Sequence, residues 1–301
     1  MPEVTVVGSL NLDTTVRVPR LPAAGETILG FGHFEDMGGK GANQVVAAAR
    51  LGRSVAMVGM IGDDDAGAHL LKSLGFDGVD TTAVVIAQRQ SSGVALITVD
   101  QMGENTIVVD PGSNAMFSPD MLQGVADPIR TACVVLLQLE IPLDTVAAAV
   151  ALATGIVVLN PAPAANLDAA VLDAVDVLVP NATELARLTG STPPSSPGEA
   201  ISMAHGLEGP KAVVVTLGAD GAVLVSGGDA VHISAPLVDP VDPTAAGDAF
   251  CGGLADFLVR GESLENAVQW AVRCGAVTAT RWGAQGSLPT RDEVLTVEGI
   301  G

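Results

Sequence analysis

The sequence predicts an α/β fold, a central and mainly parallel sheet flanked by helices on both faces in the Rossmann-like manner, with a small β-sheet lid. Three observations predict it. In the second half of the chain, continuous aliphatic runs of parallel-strand type alternate with stretches of helical composition. In the first half, short segments alternate apolar and polar residues, as antiparallel strands with one wet face do. A chain of 301 residues, 48% apolar, also supplies one sizeable core, which must be aliphatic because tyrosine is absent and aromatics reach only 3%.

Glu3 to Gly8 opens the chain as a short buried-strand pattern ending in glycine. Half-polar stretches around Thr14–Val18 and Glu26–Glu35, with Pro19, Pro22 and Gly25 between them, predict a hairpin. Lys40 to Leu51 is Ala-rich, opened by glycines and strongly helical. Val55–Gly59 reads as a strand and Asp65–Gly75 as a helix, and Val84–Ala87, Gly93–Val99 and Thr106–Val109 carry the antiparallel alternation. Ala132–Leu139, Gly155–Leu159, Val175–Val179 and Ala212–Leu217 are the continuous aliphatic strands, with helical segments at 144–154, 166–172, 181–189 and 198–208. Strand–helix alternation of this kind builds a sheet covered on both faces. Ala222–Val225 and Val231–Ile233 form a late hairpin around Gly227 and Gly228. Helices over 247–260 and 263–280 follow, and Thr192–Gly198 is a Pro/Ser-rich loop.

A net charge of −20 argues against nucleic-acid or acidic-membrane partners, which require basic surface. The apolar runs are too short and too often broken to span a bilayer, and no basic start with a long apolar stretch marks a signal peptide, so a cytoplasmic location is expected. Cys133, Cys251 and Cys274 form no CxxC pair and sit in apolar runs, which predicts buried free thiols. The four histidines are equally scattered, and no transition-metal site is legible. Only three lysines exist, and Lys40 lies in the most glycine-rich motif of the chain.

The segment Asp242-Pro243-Thr244-Ala245-Ala246-Gly247-Asp248 is a small-residue turn carrying a carboxylate and opening into an apolar helical run. Such a turn leaves backbone N–H groups unpaired at a helix N-terminus, where anionic oxygens are attracted. Asp248 cannot be a further phosphate ligand, since like charges repel; it suits taking a proton from a hydroxyl about to attack phosphorus. An anion hole with an embedded base suggests a kinase acting on an alcohol. The G-x-x-x-x-G-K-[ST] and G-x-G-x-x-G fingerprints are both missing, which disfavours a P-loop ATPase and a dinucleotide dehydrogenase.

Gly38-Gly39-Lys40-Gly41-Ala42-Asn43-Gln44 lets a backbone come close to a polyhydroxylated ligand, and Asn43 both donates and accepts; the same residues also read as a tight turn and helix start. Asn11 and Asp13 follow the first strand, where open α/β sheets bind ligands, although taken alone an Asx turn explains them more simply. Asn181 and Glu184 have capping-box spacing and also face the carboxyl edge of the sheet, where Mg²⁺ and phosphates would lie. Glu140 ends a strand in the same way. Thr216-Leu217-Gly218-Ala219-Asp220-Gly221 is a strand–turn–strand able to lie against a nucleotide, or simply a turn. Gly62-Asp63-Asp64-Asp65 resembles a metal cluster but reads more simply as an N-cap.

Together these segments resemble the ribokinase family of sugar kinases, nearly end to end, from Ser9-Leu10-Asn11-Leu12-Asp13 to Thr280-Arg281-Trp282-Gly283-Ala284-Gln285. Gln138-Leu139-Glu140 and Asn160-Pro161-Ala162-Pro163-Ala164 belong to that likeness too. The resemblance implies one α/β domain over 1–301, with lid segments at about 11–37 and 92–109 that in the family often form a homodimer interface. It implies ATP-dependent phosphorylation of D-ribose at the 5-hydroxyl, with Asp248 as base and the Ala245–Gly247 backbone as anion hole. Asn11, Asp13, Gly39, Lys40, Gly41, Ala42, Asn43 and Glu140 would hold the sugar; Asn181, Gly247 and the 216–221 turn would contact ATP, with Glu184 placing Mg²⁺ through water. A K⁺ site beside the anion hole would use carbonyls or side chains of Asp242, Thr244, Thr278, Arg281, Gly283 and Ser287. Pro243 departs from the family pattern, which has threonine after the aspartate, and removes a backbone donor there. Val272 stands where a polar residue often touches adenine. Two other readings remain: a kinase for 2-deoxyribose or another pentose or nucleoside, and a non-catalytic sugar- or nucleotide-sensing protein on the same fold.

Overall fold

In the computed structural model, residues 1–296 are described. The chain runs through β1 (Val4–Val7), β2 (Asn11–Arg17), β3 (His33–Gly38), α1 (Lys40–Arg50), β4 (Val55–Gly62), α2 (Asp65–Phe76), β5 (Asp80–Ala87), β6 (Gly93–Val99) and β7 (Asn105–Asp110). A 3₁₀ turn over Gly112–Met116 leads to α3 (Pro119–Gly124), α4 (Asp127–Thr131), β8 (Val134–Leu137), α5 (Leu143–Leu152), β9 (Ile156–Leu159), α6 (Ala169–Asp173), β10 (Val177–Leu178), α7 (Ala182–Thr189) and α8 (Pro197–His205). Then come β11 (Ala212–Thr216), β12 (Ala222–Ser226), β13 (Asp229–Ile233), α9 (Ala246–Val259), α10 (Leu264–Thr278) and α11 (Arg291–Leu295).

Nine strands form one sheet in the order β13-β12-β11-β10-β9-β8-β1-β4-β5, parallel except for the β11–β12 and β12–β13 pairings. Successive side chains on a strand face opposite sides, so a continuous aliphatic strand feeds two cores at once. Val134 and Leu136 of β8 pack with α1, α9 and α10, whereas Val135 and Leu137 pack with Val146 and Ala149 of α5. That two-sided burial is what the uninterrupted aliphatic runs signalled. A second, four-stranded sheet has the order β3-β2-β6-β7.

Three expectations need correction. Val84–Ala87 belongs to β5, which pairs parallel with β4 at the edge of the large sheet rather than in an antiparallel set. Its alternation reports one wet face, which an edge strand also has, and says nothing about pairing direction. In the small sheet β2 and β6 are parallel neighbours, so the set is mixed. Cys133 is exposed, because it stands just before β8, where the sheet begins, while Cys251 and Cys274 are buried as expected. Boundaries also move: the second hairpin strand starts at His33, not near Glu26, and the helix expected at 166–172 forms only at α6. The triple-aspartate segment caps α2, with Asp64 accepting from Gly67 N at 2.9 Å, and the Asn181–Glu184 capping box is complete.

Helix α9 is anchored at its far end by a charge cluster. Asp256 is fully buried and meets Arg53 at 3.0 Å, Arg260 at 3.0 Å and Arg291 at 2.8 Å. Phe257 stacks on Trp270 of α10 with ring centroids 4.9 Å apart. Removing the carboxylate takes this partner from Arg260 and Arg291 and leaves Arg53 with Glu3 alone, beside an apolar seam. Asp256→Ala is therefore expected to lower the unfolding free energy by about 3 kcal/mol, read as an earlier urea midpoint at unchanged slope. An unshifted midpoint would show that the arginines are satisfied by solvent.

Candidate active site

Parallel strands put all their carboxyl ends along one edge of the sheet, and there the candidate residues meet. β1 delivers Ser9, β8 delivers Gln138 and Glu140, β9 delivers Asn160, β10 delivers Asn181, and β11 ends in Thr216. The N-termini of α1 and α9 face the same edge, bringing Lys40, Asn43, Gln44, Gly247 and Asp248. A cavity of about 210 Å³ is lined by Lys40, Asn160, Asn181, Glu184, Thr216, Gly247, Asp248 and Cys251, among others. A second cavity of about 230 Å³, walled by Leu167, Leu172, Leu178 and Leu188, lacks such a set of ionisable groups.

The turn before α9 is shaped by Ala245, which takes a left-handed conformation (φ 59°, ψ 5°) that an alanine adopts only at a cost. No side chain caps this helix. Ala246 N donates to Pro243 O at 3.1 Å, so that member of the expected anion hole is occupied by its own turn. Among the described residues no backbone carbonyl takes the N–H of Gly247 or of Asp248. A Cβ at Gly247 would meet nothing within 4 Å, so glycine here leaves open space rather than serving close packing.

Asp248 is 6% exposed, and both its carboxylate oxygens accept side-chain amides: Oδ2 from Asn43 Nδ2 at 2.9 Å and Oδ1 from Gln44 Nε2 at 3.0 Å. Gln44 is itself held, its Oε1 accepting from Gln138 Nε2 at 2.6 Å. Burial pushes the Asp248 carboxyl above its ordinary range, while Lys40, Asn43 and Gln44 work the other way. Burial likewise works against the charge on Lys40, but Asp248, Glu140 and Glu184 outweigh it and hold the ammonium above its ordinary value. Burial, with Asp248 and Glu184 nearby, pushes the Cys251 thiol far up, so it stays a neutral wall residue.

Glu140 closes the start of α1. Its Oε2 accepts from Ser9 Oγ at 2.5 Å and from Lys40 N at 3.1 Å. Gly39 and Gly41 lie so close to the Ser9–Leu10 backbone that a Cβ on either would collide with it, which is the physical reason for those glycines. Ala42 is wholly buried beneath the loop and donates its N–H to Ser9 O. Asp13 stands over Gly38, whose missing Cβ makes room for its carboxylate, and its Oδ1 is buried without a partner. Burial first, then the charges of Asp36, Glu140 and Asp248, push Asp13 up to about 7. Asn11 accepts at Oδ1 from Asn114 Nδ2 at 2.9 Å.

On the nucleotide side, Glu184 Oε2 and Oε1 accept from Asn181 N and Nδ2 at 2.8 and 2.9 Å, and burial raises the Glu184 carboxyl. Asn181 bridges to Thr216, which ties the capping box to the 216–221 turn. Leu217 begins that turn; Gly218–Asp220, including Ala219, form a 3₁₀ turn, and Gly221 closes it at φ 86°. The expected cation residues are only partly assembled as side-chain ligands. Asp242 accepts from Thr244 N at 2.9 Å and from Gly283 N at 3.1 Å, bringing those three together. Thr278 and Ser287 donate to Cys274 O and Ala284 O, and Arg281 pairs with Glu293. Those three side chains are committed locally, so a cation there would rest on backbone carbonyls. Val272, at the position where a polar residue often touches adenine, is buried in α10.

The sequence reading missed Gln44, Gln138, Ser9, Asn160 and Asn114. Gln44 and Gln138 stood inside quoted motifs, and a buried glutamine amid apolar strand residues was the available signal.

A sheet-edge cleft with one lysine, a buried carboxylate and an uncapped helix mouth is the equipment of a phosphotransferase. The chain belongs to the pfkB family of carbohydrate kinases, whose model matches residues 1–291, and it is an ATP-dependent carbohydrate kinase. It is 38% identical over 296 residues to the ribokinase of Haemophilus influenzae, covering 97% of this chain and 96% of that one. It is 36% identical to the deoxyribokinase of Salmonella typhi, covering 97% of each. The structure of Arabidopsis thaliana ribokinase complexed with ribose and ATP superposes with a TM-score of 0.87 at 33% identity, covering 98% of both chains.

The raised Asp13 carboxyl sets a pH dependence. Hydroxyl donors favour the ionised carboxylate, so a sugar held by Asp13 must expel its proton below about 7. kcat/KM for the sugar is expected to fall by up to about tenfold per pH unit below that value and to level off above it. Rate profiles of the wild type and Asp13→Asn check this: the acid limb should vanish in the variant, and its persistence would assign it elsewhere.

Proposed function

We propose that the chain transfers the γ-phosphoryl group of ATP to the 5-hydroxyl of D-ribose, giving D-ribose 5-phosphate and ADP. One observation carries the reading: Asp248 is buried at the mouth of α9, held by two amides, beside N–H groups that nothing among the described residues accepts. Asp248 takes the hydroxyl proton as the oxygen attacks phosphorus, and the N–H groups of the Ala245–Gly247 turn stabilise charge on the transferred group. Because Ala246 N is engaged by Pro243 O, Gly247 and Asp248 supply the free donors at this stage. Asn11, Asp13, Gly39–Asn43 and Glu140 position the pentose. Asn181, Thr216–Gly221 and Gly247 receive the nucleotide, and Lys40 offsets local negative charge in a chain of net charge −20.

Mg²⁺, held through water at Glu184, would neutralise the phosphate oxygens during transfer. K⁺ would sit on carbonyls of the Asp242–Thr244 and Thr278–Ser287 segments and stiffen the turn before α9. The small sheet, at about 11–37 and 92–109, acts as a lid on the sugar within one domain over 1–301. Its exposed Leu96, Ile107, Val108 and Val109 suit a homodimer of lids. ATP as phosphoryl donor fits a cytoplasmic setting. No helix among the described residues is long and apolar enough to cross a membrane.

A second reading, 2-deoxyribose as substrate, is favoured by the nearly equal identity to ribokinase and deoxyribokinase relatives. ADP formation with D-ribose, with 2-deoxyribose and without sugar separates these readings from a non-catalytic sensor, which would release none. D-ribose is expected to give the higher kcat/KM. Asp248→Asn is expected to lower kcat by about 10²–10⁴-fold, with a much smaller change in KM for the sugar. Near-normal turnover in that variant would remove Asp248 from the role of base.

A further inference from the structure

Asn114 lies outside every motif discussed so far, yet it is 1% exposed and makes three hydrogen bonds at the base of the small sheet. It sits in the 3₁₀ turn Gly112–Met116, directly after β7 has carried the chain back from that sheet. Across from it, Leu10 and Asn11 are where β1 has ended and β2 begins.

The orientation of its amide is dictated by chemistry. Leu10 N–H can only donate, so the Asn114 atom 3.0 Å away is Oδ1. Leu10 carbonyl can only accept, so the atom 3.0 Å from it is Nδ2. The other hydrogen of that Nδ2 goes to Asn11 at 2.9 Å, which makes the receiving atom Asn11 Oδ1. Asn11 is therefore locked with its acceptor turned to the protein and its Nδ2, a donor only, left over. Gly93, the partner of Asn11 in the β2–β6 ladder, completes the lock, because a Cβ there would run into both amides. The neighbouring Ser113 Oγ donates to Met60 O at 3.2 Å, fixing the turn to β4.

We propose that Asn114 is a positioning residue of the sugar site: it holds the Asn11 amide donor-outward, so that this subsite takes a ligand oxygen able to accept a hydrogen bond. The inference rests on the reading of Asn11 as a sugar ligand. Without Asn114 nothing holds the Asn11 acceptor inward, and the turned-over amide presents an acceptor where a donor is needed.

A double-mutant cycle in Asn11→Ala, Asn114→Ala and the double variant tests this, with KM for D-ribose and for ATP measured in parallel. Asn114→Ala is expected to raise KM for D-ribose about tenfold, the worth of one mispaired hydrogen bond, and to leave KM for ATP within about twofold. In the Asn11→Ala background the same change should alter KM for D-ribose by less than about twofold. Additive losses, equal losses for both substrates, or no loss in the single variant would each overturn the proposal. An unchanged KM for D-ribose in Asn11→Ala would overturn it by removing Asn11 from the sugar site, while wild-type turnover would keep the proposed reaction standing. Should Asn114→Ala fail to fold, Asn114→Asp keeps the acceptor for Leu10 N but cannot donate to Asn11, and the same non-additivity is expected of it.

Discussion

Everything in this cleft turns on keeping one carboxylate, that of Asp248, buried at the mouth of α9. Burial pushes its carboxyl upward. Two amide donors and the nearby Lys40 oppose that, and each donor is placed by a different constraint. Asn43 and Gln44 ride on α1, whose start is forced against Ser9 and Leu10 by glycines that have no room for a Cβ. Gln44 is in turn fixed by Gln138 from β8. The glycine-rich loop thus shapes the site by aiming the amides that seat Asp248.

Glu140, Glu184 and Asp248 gather around Lys40, and Asp13 feels the charges of Asp36, Glu140 and Asp248. Such a concentration of acid is costly, and burial with the charges of Asp36, Glu140 and Asp248 pushes the Asp13 carboxyl up to about 7. A ligand rich in hydroxyl donors relieves it, whereas an anionic ligand is tolerable only at the helix mouth. On the proposed reading these charges would favour a polyol toward the small sheet and phosphate toward α9, the arrangement that phosphoryl transfer between them requires.

Much of this was legible in the sequence. Two-sided aliphatic strands announced the parallel sheet, and the small-residue turn with its embedded aspartate announced the helix mouth. Other features were hidden for definite reasons. The alternation in β5 reports exposure and not pairing direction, so an edge strand passed for a hairpin strand. The engagement of Ala246 N by Pro243 O depends on the left-handed turn at Ala245, which no residue type there demands. Gln44, Gln138 and Asn114 act through contacts nearly a hundred or more residues apart in the chain, and no local spacing encodes such pairings.

The most direct measurement is a crystal structure of the protein with D-ribose and a non-hydrolysable ATP analogue. Asp248 should then keep its amide partners and place a carboxylate oxygen about 2.6–3.2 Å from the 5-hydroxyl oxygen, within proton-transfer reach. A filled, closed cleft in which that carboxylate lies beyond hydrogen-bond reach of the hydroxyl, or in which another group occupies its place, would contradict the account.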